Sequence, residues 1–261
     1  MKIGLCGPAV AGAFAKAAGC DYLELNFTTV ARQSDEEFAQ TKHALAEGGL
    51  PCEVMNCFIP GDFKLISPEL DQAALEAYLK QGFSRAKELG VEIVVFGSAG
   101  ARKLPEGMEK QTGWDILAPV YRLAGNCAAQ VGIVIAIEPL SYHECNAVNT
   151  LRDGMALMNL TGHPNVRLLA DMYHMGENGE EMVDILDVGA DLRHCHIGKP
   201  DGRVFPMPGD GYDYAPFFNA LRGIGYAGRL SIEASPPSGD AQADLDLPQS
   251  VGLLRALSVG L

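Results

Sequence analysis

Short apolar runs, each followed by polar or turn-forming residues, recur along the whole chain. The clearest run covers residues 133–137; it is rich in β-branched residues, ends on the carboxylate of Glu138 and is stopped by Pro139. A run of this length is too short to cross a membrane and is typical of a strand buried on both faces, as in a parallel sheet. The pattern therefore predicts that Glu138 lies at the carboxyl end of a buried strand.

Segments with the apolar spacing of amphipathic helices alternate with these runs. Ser34 followed by three acidic residues is a typical helix N-terminus, and the helix it begins is predicted to end at Gly48 and Gly49. Residues 70–89 show the same spacing and end at Gly90. The predicted strands cover residues 2–6, 22–26, 52–58, 91–98, 133–139, 166–171, 193–198 and 229–234.

The number and spacing of these pairs predict the fold class. Eight strand–helix pairs across 261 residues give roughly 33 residues per pair, which suits a closed (β/α)8 TIM barrel of about 250 residues. No shift in composition marks a second domain, so we expect one α/β domain over residues 1–261. Two loops are longer than the usual ~2–6 residues. Residues 59–68 are predicted to form a lid. Residues 98–113 lack the spacing of a phosphate-binding loop and are predicted to form a solvated active-site loop.

Four of the predicted strands end on a carboxylate or a histidine. Because the carboxyl ends of parallel barrel strands share one rim, we expect these side chains to converge. Any one of them alone could cap a helix or pair with a surface arginine, but four at one rim predict a ligand set. Three carboxylates and one imidazole suit manganese, magnesium or cobalt better than a structural zinc. The four residues are Glu138, Asp171, His196 and Glu233.

The two histidines of the seventh strand need to be distinguished. His194 and His196 are two positions apart, so both side chains face the same side of the sheet and one lies deeper than the other. His196 is nearer the carboxyl end and is the predicted ligand, whereas His194 is predicted to lie in the core or to support the ligands. His43 and His163 fall in helix and turn contexts and are predicted to be surface residues.

Charge and composition narrow the range of partners. The net charge of -13 argues against nucleic acid or an anionic membrane surface, because both select clustered lysine and arginine. The seven cysteines form no CxxC pair, and their odd number favours reduced thiols. The chain starts directly with a strand pattern and contains no run of ~18 apolar residues, so we expect a cytoplasmic enzyme acting on a small molecule.

Four motifs carry a family resemblance. They are IAIEPL with Glu144 six residues after Glu138, LLADMYHM with His174 three residues after Asp171, HIGKPDGR with Arg203, and SIEAS with Glu233. Together they resemble the sugar phosphate isomerase/epimerase superfamily with the xylose isomerase-like barrel, and the similarity extends over essentially the whole chain. Within it the pattern is closest to the ketose 3-epimerases.

The resemblance implies one divalent metal ion (manganese, cobalt or magnesium) and a small sugar substrate. Glu138 and Glu233 would act as acid and base on opposite faces of the sugar and invert carbon 3 of a ketose through an enediolate, whose charge the metal stabilises. The family also implies a homodimer or homotetramer. The implied metal ligands are Glu138, Asp171, His196 and Glu233, and the implied sugar-binding residues are Glu144, His174 and Arg203.

Other reactions fit the same barrel and metal. An inosose dehydratase-type lyase would expel a hydroxyl, and a hydroxypyruvate or aldose–ketose isomerase would move a proton between adjacent carbons. An abasic-site endonuclease would need further histidines where this chain has Asn56, Cys57, Gly97 and Ser98, and a basic face that an acidic chain lacks. A non-catalytic sugar-binding protein is a further alternative. One extra residue before Arg203, and Ser235 in place of an aromatic residue, depart from the epimerase pattern near the sugar.

Overall fold

Parallel strands pair in chain order, and the last of them pairs back onto the first, so that the sheet closes into an eight-stranded barrel. This closed barrel confirms the predicted (β/α)8 fold. The computed structural model describes residues 1–261 apart from the side chain of residue 241. The strands are β1 Lys2–Cys6, β2 Tyr22–Asn26, β3 Cys52–Asn56, β4 Ile93–Phe96, β5 Val134–Ile137, β6 Val166–Asp171, β7 Leu192–Ile197 and β8 Arg229–Ile232.

Helices follow the strands and form the outer layer, with short 3-10 turns at 9–11, 182–184, 189–191 and 240–242. Among the described helices, none has both the length and the apolar character of a membrane span. The helices are α1 Gly12–Ala17, α2 Phe27–Arg32, α3 Asp35–Gly48, α4 Gln72–Leu89, α5 Ala99–Arg102, α6 Lys110–Val131, α7 Leu151–Thr161, α8 Met172–Asn178, α9 Ile185–Val188, α10 Ala215–Gly223 and α11 Ala243–Leu257.

The helix start predicted at Ser34 is a complete capping box. The Ser34 hydroxyl accepts a hydrogen bond from the Glu37 amide at 3.2 Å, and the Glu37 carboxylate accepts one from the Ser34 amide at 2.7 Å. Gly49 and Gly90 end α3 and α4 in the left-handed conformation that glycine adopts most readily. These local signals fix where the outer helices begin and end.

Alternation along each strand sends every second side chain into the barrel. Near the amino ends the interior holds an apolar layer that includes Tyr22, Val54, Ile93 and Leu169. Two residues further along, the interior side chain becomes polar in β2, β3 and β6, where Glu24, Asn56 and Asp171 follow, whereas β4 stays apolar at Val95. The strands therefore carry their polar residues to the carboxyl rim, above a packed apolar floor.

Three segments, namely the starts of α2 and α8 and residues 98–113, differ from the predicted pattern. Helices α2 and α8 begin directly after β2 and β6, with no intervening loop. Residues 98–113 form a mostly exposed loop only over 103–109, because α5 and the start of α6 lie within the rest and Arg102 of α5 is completely buried. The predicted lid at residues 59–68 packs onto the same helix, where the Leu65 amide donates to the Ala101 carbonyl at 2.9 Å.

Candidate metal centre and active site

The carboxyl rim of the barrel brings the four predicted metal ligands together, with one ligand atom of each lying within 4.8 Å of the others. Asp171 is the last residue of β6 and His196 the fifth of six in β7. Glu138 and Glu233 are the first residues after β5 and β8. Four strands thus deliver four side chains to one point, although 95 positions separate the first from the last in sequence, from 138 to 233.

The His196 Nδ1 atom lies at the centre of this cluster. It is 2.9 Å from Glu138 Oε1, 3.2 Å from Glu233 Oε2 and 3.9 Å from Asp171 Oδ2. Asp171 Oδ1 caps α8 by accepting a hydrogen bond from the Tyr173 amide at 2.8 Å. Within the described residues, the buried Asp171 Oδ2 has no hydrogen-bond partner.

A divalent cation fits this donor set. Burying carboxylates together is costly unless a positive charge compensates them, and an unpartnered oxygen at such a site calls for a ligand. Oxygen-rich sets with one imidazole suit manganese, magnesium or cobalt. Glu138, Asp171, His196 and Glu233 would hold the ion.

The two glutamates of the cluster experience different electrostatic environments. Burial raises the pKa of Glu138 above its usual value, although His196 opposes the shift. Burial also acts to raise the pKa of Glu233, but His196 and Arg203 outweigh it and bring the value down to about 2. Two carboxyl groups whose pKa values are driven apart are the usual basis for separate acid and base roles.

A buried glutamate supports the cluster from below. Glu24, inside β2, accepts from His196 Nε2 at 2.8 Å through Oε1, and its Oε2 lies 2.8 Å from His194 Nε2. The Ser231 hydroxyl donates to Glu24 Oε2 at 2.5 Å, and Tyr22 Oη lies 2.8 Å from Ser231 Oγ. His194 thus belongs to a supporting layer beneath the ligands, and Glu24 orients His196 so that Nδ1 faces the cluster.

The predicted sugar-binding residues lie at the same rim. Arg203 Nη2 donates to Glu233 Oε2 at 2.6 Å, Nη1 lies 3.4 Å from Glu144 Oε1, and the guanidinium stands 4.5 Å from the centre of the Tyr173 ring. His174 Nδ1 accepts from the Ser141 amide at 3.0 Å. Because a backbone amide can only donate, the proton of neutral His174 is on Nε2, which is 3.7 Å from Asp171 Oδ2.

Strained backbone surrounds this site. Three non-glycine residues adopt positive φ angles, Cys57 at 49°, Ser98 at 41° and Arg203 at 46°. All three line a cavity of about 440 Å³ that also exposes Glu138, Glu233 and the sugar-binding residues. Left-handed backbone in such residues costs about 1–3 kcal/mol each, and it is typical of functional sites.

Residues outside the predicted set hold the two glutamates in place. Asn56 Nδ2 donates to Glu233 Oε1 at 3.1 Å. Arg102 donates to the main-chain carbonyls of Phe96 and Glu138, which fixes the junction of β4 and β5. Gly97 leaves space for Glu138, because a Cβ there would lie 2.1 Å from Glu138 Oε2.

Of the three remaining histidines, His143 lies at the rim, with 57% of its side chain exposed and its Nε2 3.9 Å from Glu144 Oε1, and the other two stay apart from this site. His43 has 72% of its side chain exposed and pairs with Glu47 on α3. His163 is half-buried beside α6, where its Nε2 lies 3.1 Å from Asn126 Oδ1. Neither contacts the ligand cluster. The position of His196 near the carboxyl end of its strand is therefore what distinguishes the candidate ligand from the other histidines.

Comparison with known proteins gives the family. A model of the xylose isomerase-like TIM barrel matches residues 13–257. A ketose 3-epimerase from Arthrobacter globiformis is 34% identical over 141 residues, 54% of this chain and 47% of that protein. An inosose dehydratase from Geobacillus thermodenitrificans is 27% identical over 179 residues, 56% of this chain and 58% of that protein.

A solved structure shares the whole architecture. D-psicose 3-epimerase with D-tagatose, from Clostridium cellulolyticum H10, matches with a TM-score of 0.84 and 20% identity over 99% of both chains. At this identity the match describes the fold alone. The chain spans about half the length of the first curated relatives that it matches. With the family model covering nearly the full barrel, the chain belongs to the xylose isomerase-like TIM barrel family.

Proposed function

We propose that this protein is a divalent-metal-dependent epimerase that inverts carbon 3 of a ketose. One observation carries the proposal: Glu138 and Glu233 both approach His196 Nδ1, at 2.9 and 3.2 Å, from strands on either side of it around the barrel. A ketose held at this point would lie between two carboxylates. Epimerisation needs that arrangement, because one group removes a proton from one face and another returns a proton to the opposite face.

The environments of the two carboxylates support separate roles. Glu233, whose pKa is lowered to about 2, is ionised and can accept the proton of carbon 3. Glu138, whose pKa burial raises, can hold a proton for the return step. When bound, the divalent ion would stabilise developing negative charge on the substrate oxygens. We propose manganese, cobalt or magnesium for this ion, on the chemistry of the ligands.

The surrounding residues would orient the sugar. Neutral His174 presents Nε2–H to the cavity and can donate to a carbonyl or hydroxyl oxygen. Arg203, held by Glu233 and Glu144, places a permanent positive charge beside the carbon that loses its proton. Glu144 can accept a hydrogen bond from a hydroxyl group. The polar groups therefore converge on one end of the substrate.

Solvent-deuterium uptake tests the proposal. Manganese-loaded protein is incubated in deuterium oxide with D-fructose, D-tagatose and D-ribulose, and the products are analysed by NMR and mass spectrometry. One deuterium at carbon 3, with the 3-epimer accumulating, is the expected result. Uptake at carbon 1 would replace the proposal with an aldose–ketose isomerase. Loss of water from these sugars, or from an inosose tested in a parallel incubation, would replace it with a dehydratase, the activity of one relative. Location in the cytoplasm and assembly as a dimer or tetramer stay predictions.

A further inference from the structure

A second, larger cavity adjoins the candidate active site. It measures about 870 Å³, against about 440 Å³ for the cavity that contains the proposed acid and base. The two cavities share Asn26, Thr29, Asn56 and Cys57 as wall residues, so they form one continuous cleft. Cavities of about 300–1,000 Å³ are the size that holds drug-sized ligands. The cleft as a whole therefore has room for more than one monosaccharide.

The larger cavity has a fixed position relative to the reacting groups. It lies over β1 and β2, between the 3-10 turn at 9–11 and helices α2 and α3. Glu144, His174 and Arg203, which would orient the reacting end of the sugar, stand on the β5 to β7 side of the rim. The end of a ketose remote from those residues therefore points into the larger cavity.

The walls of this cavity present neutral hydrogen-bonding groups. Asn26 Oδ1 accepts from the Thr29 amide at 2.8 Å and from the Thr29 hydroxyl at 3.1 Å, which leaves the Asn26 amide hydrogens for a ligand. Gln33 Nε2 donates to Thr41 Oγ1 at 2.8 Å, and both side chains belong to the wall. Amides and hydroxyls that both donate and accept suit the hydroxyl groups of a sugar.

The charges of the cavity disfavour a phosphate. Its one cation, Arg32, is already paired with Asp62 at 2.5 Å. Glu24 and Glu37 add two carboxylates to the lining, and the chain as a whole carries a net charge of -13. Phosphate recognition relies on clustered arginine and lysine or on a free helix N-terminus, whereas Glu37 occupies the capping box of α3. The occupant is therefore expected to be uncharged.

We propose that the cleft takes a glycosylated ketose, with the ketose at the metal centre and a second, neutral sugar in the larger cavity. The inference rests on the proposed function for the ketose half. It distinguishes the proposed substrate from two other classes. Free monosaccharides would leave the larger cavity empty, and the carboxylates that line this cavity would repel sugar phosphates. Val10, in the wall of this cavity and 77% exposed, offers a position from which a bulky side chain would fill it.

The test compares three probes that share one ketose unit. Solvent-deuterium uptake at carbon 3 is measured for D-fructose, for 6-O-glucosyl-D-fructose and for D-fructose 6-phosphate, with manganese-loaded protein. We expect kcat/KM at least tenfold higher for the disaccharide than for fructose, and lower for the phosphate than for fructose. Val10→Trp is expected to lower the disaccharide-to-fructose ratio at least tenfold. The matched control is Val259→Trp, at a 75% exposed valine outside the cleft, which is expected to leave the ratio unchanged.

Each alternative outcome has a distinct meaning. If fructose or fructose 6-phosphate takes up deuterium as fast as the disaccharide or faster, the inference is overturned. The proposed epimerase function is not affected by that result. If no sugar exchanges deuterium, the proposed function fails, and calorimetric binding of the same probes then decides the inference. If the disaccharide binds more tightly than fructose and Val10→Trp abolishes that difference, the result supports a second sugar in the larger cavity. If the disaccharide and fructose bind equally, or if neither binds, the inference is overturned.

Discussion

Glu24 Oε1 lies 2.8 Å from His196 Nε2, and both side chains are completely buried inside the barrel. The hydrogen bond leaves Nδ1, the other ring nitrogen of His196, facing the carboxylates of the candidate metal centre. A carboxylate behind a metal-binding histidine fixes the ring and increases its basicity. The negative charge of Glu24 is therefore placed to strengthen metal binding without contacting the ion.

Glu24→Gln is expected to weaken manganese affinity about 10- to 100-fold, because the glutamine can keep the hydrogen bond but not the charge. Affinity is measured by competition with a chelator of known strength, and circular dichroism checks that the variant is folded. The control is Glu53→Gln, a buried carboxylate that binds Lys2 and Arg229 at the opposite end of the barrel. Unchanged affinity in Glu24→Gln would assign Glu24 a packing role only.

Gly97→Ala is expected to lower kcat/KM about a hundredfold, with little loss of stability. The new Cβ would lie 2.1 Å from Glu138 Oε2 and push that carboxylate away from His196. A displacement of about 1 Å at a catalytic group can cost about this factor. Gly252→Ala, where a Cβ meets no atom within 4 Å, is the control. A fully active Gly97→Ala enzyme would show that the position of Glu138 does not limit the reaction.

Arg102→Met is expected to lower the free energy of unfolding by about 2–4 kcal/mol, measured by urea denaturation. The substitution leaves the buried Glu138 carbonyl without a donor and leaves the Phe96 carbonyl only the 3.3 Å hydrogen bond from the Glu138 amide. A buried polar group that loses its partner costs about 1–3 kcal/mol. Arg193→Met, at an exposed position of β7, is the control. A difference between the two variants below about 0.5 kcal/mol would mean that water replaces the guanidinium without penalty.

The contribution of Glu180 to the stability of the chain is expected to fall as pH rises from about 4.5 to about 7. Burial raises the pKa of Glu180 from 4.5 to about 7 in the folded chain. The unfolded state therefore releases this proton first, and folding becomes less favourable until the folded state releases it too. Glu180→Gln keeps an oxygen for the Leu151 amide, which now donates to Oε1 at 2.9 Å, and should remove this decline.

Urea denaturation at pH 5 and pH 8 measures the Glu180 effect. The advantage of Glu180→Gln over the wild type should be larger at pH 8 than at pH 5. Glu181→Gln, at the exposed neighbouring residue, corrects for the general loss of one negative charge. The same advantage at both pH values would contradict the raised pKa.

The sequence was sufficient for the barrel and for the strand ends. Alternating segments predicted the fold class, and Glu138 was identifiable because Pro139 marks where a buried strand stops. Glu24 could not be predicted as functional, because a glutamate in the alternating run YLELN is typical of a solvent-facing position. Only closure of the barrel turns that face into the interior. A charged residue inside an otherwise apolar strand was the one available signal.

Arg102 escaped prediction for a related reason. Glycines and basic residues around it are typical of a solvated loop, whereas its burial depends on carbonyl groups of β4 and β5 that meet only in the folded barrel. Asp171 shows the same limit at a boundary. Its carboxylate both caps α8 and faces the metal centre, so strand and helix join without the loop that the pattern predicts.

Anomalous diffraction from crystals grown with manganese would locate the ion itself. We expect one strong anomalous peak for each chain, coordinated by Glu138, Asp171, His196 and Glu233. A map with no peak at this rim, or with the ion bound by other residues while these four side chains remain hydrogen-bonded to one another, would contradict this expectation.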